Sequence, residues 1–303
     1  MMFTLAHISD IHLGPMPEIT YRELASKRIT GYINWQRNRV RALGSRVREA
    51  LQDDLERQCP DHIAVTGDLV NLALDAELTI ATAWLKTLGT PYDVSVVPGN
   101  HDAYVPGSLA KACRIWGPWM RNDGSNADPE PGDFPYLRLR ENVAIIGVNT
   151  ARATAPFMAT GYFGATQAHR LAQMLDETGE NGLFRVVLIH HPPVRRITTR
   201  LKRLFGIGLF QEVVRRHGAE LVLHGHTHEA SLHHIAGPSR SVPVVGVSAV
   251  AQGYGGRRPA ARFNLFTING GPGEWSCRME ARGITDHACS IGTIGHRNLL
   301  AAA

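Results

Sequence analysis

Five short apolar, largely β-branched runs each end in a polar island, and that repetition constrains the fold more than anything else in the chain. The runs are Leu5-Ala6-His7-Ile8, His62-Ile63-Ala64-Val65, Val94-Ser95-Val96-Val97, Val186-Val187-Leu188-Ile189 and Leu221-Val222-Leu223. Such runs predict buried strands. The islands are Asp10-Ile11-His12, Gly67-Asp68, Gly99-Asn100-His101-Asp102, His190-His191-Pro192-Pro193 and Gly225-His226-Thr227-His228. Strand ends that all deliver Asp, Asn or His predict a metal site for oxygen chemistry at one edge of a sheet.

The islands span residues 10–228 and must converge, which argues for one domain in the 303-residue chain. We expect that domain over residues 1–283, a helical insertion at about 19–57, and a loosely ordered tail over 284–303 that shows no periodicity. Within 21–56, Val40, Leu43, Val47, Leu51 and Leu55 make one helical face, and Gly31 divides off a shorter helix. Residues 75–88 predict a helix with Ile80, Trp84, Leu85 and Leu88 inward and Gly89 as its stop. Thr166 reads as the N-cap of a third helix, and a fourth stops at Gly218. Helices alternate with strands early and strands dominate late, which predicts two packed sheets with helices on the outer faces.

Asp10 and His12 are two apart, as are His226 and His228, and in extended backbone such pairs face the same side. Gly67, Gly99 and Gly225 each precede a candidate ligand, where the chain must turn sharply or approach an ion closely. Asp10, His12, Asp68, Asn100, His190, His226 and His228 are more ligands than one zinc takes. They suit two ions sharing a carboxylate, and Asp68 is the natural bridge. Two ions clamp a phosphoryl oxygen and acidify a water between them, whose hydroxide attacks phosphorus. Imidazole and carboxylate ligands accept Mn, Fe or Zn alike. His191 and His224 are read as pocket or supporting residues beside the ligands. The histidines outside the islands, His7 and His62 among them, lack ligand spacing and are read as packing residues.

The ordered set Asp-x-His, Gly-Asp, Gly-Asn-His-Asp, His, Gly-His-x-His resembles the calcineurin-like metallophosphoesterase superfamily over roughly residues 5–230. The first block and the Leu-His-Gly-His-Thr-His ending look similar to bacterial class III cyclic-nucleotide and glycerophosphodiester phosphodiesterases. The resemblance implies a four-layer α/β/β/α sandwich of two mixed sheets, a binuclear metal centre and phosphodiester hydrolysis. It implies that Asp10, His12, Asp68 and His228 hold one ion, and Asp68, Asn100, His190 and His226 the other. It places His101 against the phosphate or the leaving oxygen as a catalytic residue, with Asp102 tuning it. The basic insertion departs from the pattern and bears on substrate class. A lipid-linked nucleotide split at its pyrophosphate, and a non-catalytic metal-containing scaffold, stand as alternatives.

The net charge of +5 favours anionic partners, here an anionic phosphoester substrate. Two basic stretches, Arg22 to Arg48 and Arg195 to Arg203, read either as solvated faces or as an anion-binding rim. The rim reading allows peripheral contact with acidic lipid, and sparse aromatic residues rank nucleic acid lower. Four scattered cysteines without a CxxC, and an N-terminus that enters a strand at once, predict a reduced cytoplasmic protein without a signal peptide. No apolar stretch reaches spanning length.

Overall fold

A computed structural model describes residues 2–38, 45–256 and 258–301. In chain order the elements begin with β1 (Met2–Ile8), α1 (Tyr21–Leu24), α2 (Arg28–Asn38), α3 (Ser45–Gln58), β2 (His62–Val65), α4 (Asp75–Leu88), β3 (Val94–Val96) and α5 (Ser108–Ile115). There follow β4 (Tyr136–Arg140), β5 (Val143–Gly147), β6 (Gly161–Tyr162), α6 (Ala165–Glu180), β7 (Phe184–Ile189), β8 (Leu204–Phe205), α7 (Ile207–His217) and β9 (Leu221–His224). The chain closes with β10 (Ser231–Ala236), β11 (Ser241–Gly246), β12 (Arg262–Asn269), β13 (Ser276–Ile284) and β14 (Ile291–Leu300).

The strands form two six-stranded sheets, ordered β14-β13-β12-β1-β2-β3 and β10-β11-β9-β7-β5-β4, beside a small β6-β8 pair. Both are mixed: β1, β2 and β3 run parallel, as do β5, β7, β9 and β11, with antiparallel strands outside them. Parallel strands need crossovers, and α3, α4, α6 and α7 supply them. Strands covered on both faces read as continuous apolar runs, which is why β2, β3 and β9 are buried throughout. The pleat then sorts their residues. Val186 and Leu188 of β7 join the core against Leu5 and Phe266 of the first sheet, whereas Val187 and Ile189 pack with Leu171 and Phe210 of the outer helices. The result is the expected four-layer sandwich. No helix among the described residues is long and apolar enough to cross a membrane.

Four local expectations are corrected. The stretch expected as a loose tail forms β14, an edge strand paired with β13 from Cys277↔Leu300 to Ile284↔Ile291. Of its residues only Leu300 is buried, so backbone pairing rather than apolar burial holds it, and no apolar pattern marks it. Among its described residues the insertion holds three helices. The break falls at 25–27, after the capping box Thr20–Glu23, while Gly31 lies inside α2, where a Cβ would collide with the Tyr104 hydroxyl. Val47, Leu51 and Leu55 are buried as expected, and Val40 and Leu43 lie outside the described residues. In α4, Leu78 and Ala81 face the core with Leu85 and Leu88, and Ile80 turns outward. Helix α6 is capped by Gly164 rather than Thr166.

Candidate metal centre

All five islands follow the C-terminal ends of parallel strands: β1, β2 and β3 in one sheet, β7 and β9 in the other. The edges of the two sheets meet there, so residues far apart in sequence share one site. The turns themselves differ from the extended backbone expected. Asp10 (φ 55°), His12 (46°), Asp68 (55°), His226 (69°) and His228 (60°) all sit in the left-handed region. That conformation is uncommon for residues with a side chain and clusters at functional sites. It turns each side chain inward just beyond its strand. The glycines permit the close approach: a Cβ on Gly99 would strike the Asp68 carboxylate, and one on Gly225 would strike Ser9 and Asp10.

Asp10, His12, Asp68 and His228 bring four ligand atoms within 4.8 Å of one another, a group that could hold an ion. Beside it, His190, His191 and His226 form a second such group. The Asn100 carbonyl oxygen lies between two of these rings, 3.2 Å from His190 Nε2 and 2.8 Å from His226 Nδ1. Asp68 spans the groups, with Oδ2 3.8 Å from His12 Nε2 and Oδ1 3.6 Å from His190 Nε2.

The rings are oriented from behind by backbone carbonyls. His12 Nδ1 donates to Val70 (3.1 Å), His190 Nδ1 to Thr66 (2.6 Å) and His226 Nε2 to Lys202 (2.8 Å). Each of these bonds commits one ring nitrogen as a donor and leaves a lone pair on the nitrogen aimed into the site, as metal-ligating histidines require. His12 Nε2 and His228 Nε2 approach to 3.4 Å, converging on one point. Burial pulls His226 well below its usual range, so it stays neutral. Asp10 is fully buried, and its Oδ1 sits 3.2 Å from His228 Nε2 without hydrogen-bond geometry. Burial alone would push that carboxyl up. The facing His228, with His190 and His12, instead holds it well below the ordinary carboxylate range. The donor set therefore fits metal ions: the Asp10 carboxylate held ionised, the His226 imidazole held neutral, and the rings pre-oriented from behind.

His101 lines the open side of the same site. Its Nδ1 donates to Asn71 O at 2.6 Å, its backbone N–H to Asp68 Oδ1 at 2.7 Å, and its ring stacks on Tyr104 at 5.5 Å. Asp102 is placed differently from expectation. Its carboxylate reaches no ring atom of His101; it accepts from the backbone N–H groups of Asp68, Leu69, Val70 and Gly99 at 2.7–3.3 Å. It clamps the loop after β2 to the loop after β3. Burial, then the Asp68 charge, pushes its carboxyl up to about 7, against the pull of the Gly99 and Val70 N–H groups. Asp102→Ala would unpair several buried N–H groups at about 1–3 kcal/mol each. We expect a loss of at least about 3 kcal/mol, read as a lowered denaturant midpoint.

His191 is fully buried and hydrogen-bonds Thr150 Oγ1 at 2.8 Å, its ring 4.4 Å from that of His226. His224 is buried behind the ligands, with Nδ1 on Gly225 O and Nε2 3.4 Å from Ser231 Oγ. Neither lines the cleft that opens over the site, a space of about 710 Å³. Lys27 from the insertion and Lys202 from the second basic stretch do. Lys27 Nζ donates to Thr154 Oγ1 and Met158 O, and burial pulls its ammonium down to about 8. Arg28 instead docks the insertion, on the carbonyls of Leu72 and Ala73. Tyr104 and Arg258, whose Nη1 is 2.7 Å from His228 Nδ1, were not foreseen. Arg258 follows Arg257 in a Gly-rich loop with no ligand spacing to signal it.

The sequence profile of the calcineurin-like phosphoesterases matches residues 3–230, a span that contains every island. The chain belongs to the calcineurin-like phosphoesterase family. Among solved structures, a dimetal phosphatase from Danio rerio is similar in fold at 14% identity and a TM-score of 0.61, with 98% of each chain covered. A purple acid phosphatase from yellow lupin, Lupinus luteus, is similar at 12% identity and a TM-score of 0.56, over 93% of this chain and 52% of that one. No protein of curated function matches the sequence.

Proposed function

We propose that this family member is a two-metal phosphodiesterase. Asp10, His12, Asp68 and His228 would hold one ion, and Asp68, Asn100, His190 and His226 the other. The observation that carries the reading is the Asp68 carboxylate, with one oxygen toward His12 and the other toward His190. Two ions bound there supply Lewis-acid polarisation of phosphoryl oxygens and acidify a water to near neutrality.

The chain's own residues do the rest. Asn71 fixes the His101 ring, so proton exchange with the leaving oxygen runs through Nε2. Lys27, Lys202 and Arg258 place positive charge around the cleft, which attracts a phosphate. Tyr104, Phe157 and Met158 line it too, giving an ester arm an apolar wall. A cleft of about 710 Å³ accommodates two ester arms, which favours a diester over a monoester.

The test compares bis-p-nitrophenyl phosphate, p-nitrophenyl phosphate, a cyclic nucleotide and a glycerophosphodiester after loading with Mn²⁺, Zn²⁺ or Fe²⁺. Diesters are expected to turn over faster than the monoester, and a chelator to abolish the activity. Faster monoester hydrolysis removes the diester assignment. No metal-dependent turnover at all removes the enzymatic one.

A further inference from the structure

A second cavity lies between the two sheets, lined by β10 and β11 on one side and β12, β13 and β14 on the other. Its volume is about 370 Å³, at the lower end of what small-molecule pockets measure, about 300–1,000 Å³. None of its lining residues belongs to the metal centre.

Its polar wall is built from residues with unmet hydrogen-bonding capacity. Arg262 and Asn264 are two apart on β12, so they share a face, and that face carries Phe266 and Ile268 into the core between the sheets. Asn264 is 98% buried (2% exposed), and its amide nitrogen has no hydrogen-bond partner. Arg262 Nε is also buried and without a partner. Buried donors of this kind are paired in the great majority of cases, so two on one strand face mark a wall short of acceptors. Arg297 from β14 stands at the same wall, and no carboxylate lines the cavity. The opposite character is supplied by Leu232, Met279 and Ile294. Gly295, in register with Ala281, leaves the entrance open: a Cβ there would meet nothing within 4 Å.

We propose that this cavity is a second ligand site, which binds a small amphiphilic anion. The oxyanion head, carboxylate or phosphate, takes the half-buried Arg262 guanidinium under the positive field of Arg297. A guanidinium fork suits either head. The apolar body lies on Met279 and Ile294. The volume excludes a large ligand, and the missing carboxylates exclude a cation.

Anilinonaphthalene sulfonate has this chemistry, an oxyanion on apolar rings, and reports its own binding by fluorescence. Titrated into the full chain, it is expected to bind saturably. Gly295→Val, which fills the entrance, and Arg262→Met, which removes the cation, should each weaken binding at least tenfold. Phe157→Ser, at the rim of the metal cleft, should leave it unchanged. Phenylnaphthylamine, the same rings without the sulfonate, should bind at least tenfold more weakly than the sulfonate. Octanoate and an alkyl phosphate, added as competitors, distinguish the preferred head. Undiminished binding to both cavity variants overturns the site, as does a wild-type protein that binds no dye. Equal binding of the neutral dye overturns the anion assignment. The near-UV spectrum and denaturant midpoint of each variant show that it is folded.

Discussion

Asp68→Ala is expected to reduce bound metal from two ions per chain to one or none and to abolish diester hydrolysis. Asp68 is 1% exposed, with one carboxylate oxygen toward His12 and the other toward His190. Asp10 cannot replace it, because its Oδ2 accepts the backbone N–H of His226 and its Oδ1 faces His228. Without the Asp68 charge, the second position keeps only imidazoles and the Asn100 amide around it. Two-metal stabilisation of a phosphoryl transition state is worth several kcal/mol, which corresponds to a rate loss of about 10³-fold or more. Elemental analysis of protein loaded with excess Mn²⁺ or Zn²⁺ and then desalted gives the metal count directly. Asp68 Oδ1 also accepts the His101 N–H, so alanine could loosen the loop. Asp68→Asn keeps an acceptor of the same shape while removing the charge, and should lose metal with the near-UV spectrum intact. Either variant that still holds two ions ends the bridging assignment.

The positions of the metal ligands were legible because strand ends are fixed by long-range packing that leaves a plain trace. Apolar runs such as 186–189 must be strands buried on both faces, and whatever follows them must emerge at the sheet edge. How the ligands are aimed was not legible. Residue spacing suggests extended backbone for Asp10 and His12, whereas both adopt left-handed φ that only the assembled site can hold in place. Asp102 shows a related limit. Its neighbour His101 points into the cleft, but its own carboxylate turns away into a nest of backbone N–H groups belonging to the loop after β2. No local pattern reports a partner more than thirty residues distant. Strand β14 was missed because an exposed edge strand is held by its ladder and needs no alternation. Within the insertion, Lys27 and Arg28 are adjacent and chemically alike, yet one lines the cleft and the other docks the helix. Charge runs give a sum, and only the packing of the helix assigns each member its task.

His101→Ala is expected to lower kcat for diester hydrolysis by about 10²–10⁴-fold, the range for a positioned general acid or base, with two ions still bound. The separation of the two effects follows from its contacts. The ring is held by Asn71 O at 2.6 Å and by the face of Tyr104, while its edge meets the His12 ring at 4.7 Å. Its hydrogen bond to the ligand set is from the backbone N–H to Asp68, which alanine retains. Removing the imidazole therefore takes away proton transfer and leaves the metal scaffold standing. The loss should depend on the leaving group. A poor alkoxide leaving group needs protonation and should suffer most; p-nitrophenolate departs unaided and should suffer least. A KM that changes little alongside a large fall in kcat identifies an interaction made in the transition state. If His101→Ala hydrolyses alkyl and p-nitrophenyl esters with equal losses, the ring binds phosphate instead of protonating the leaving oxygen. If neither rate falls, His101 has no part in the reaction.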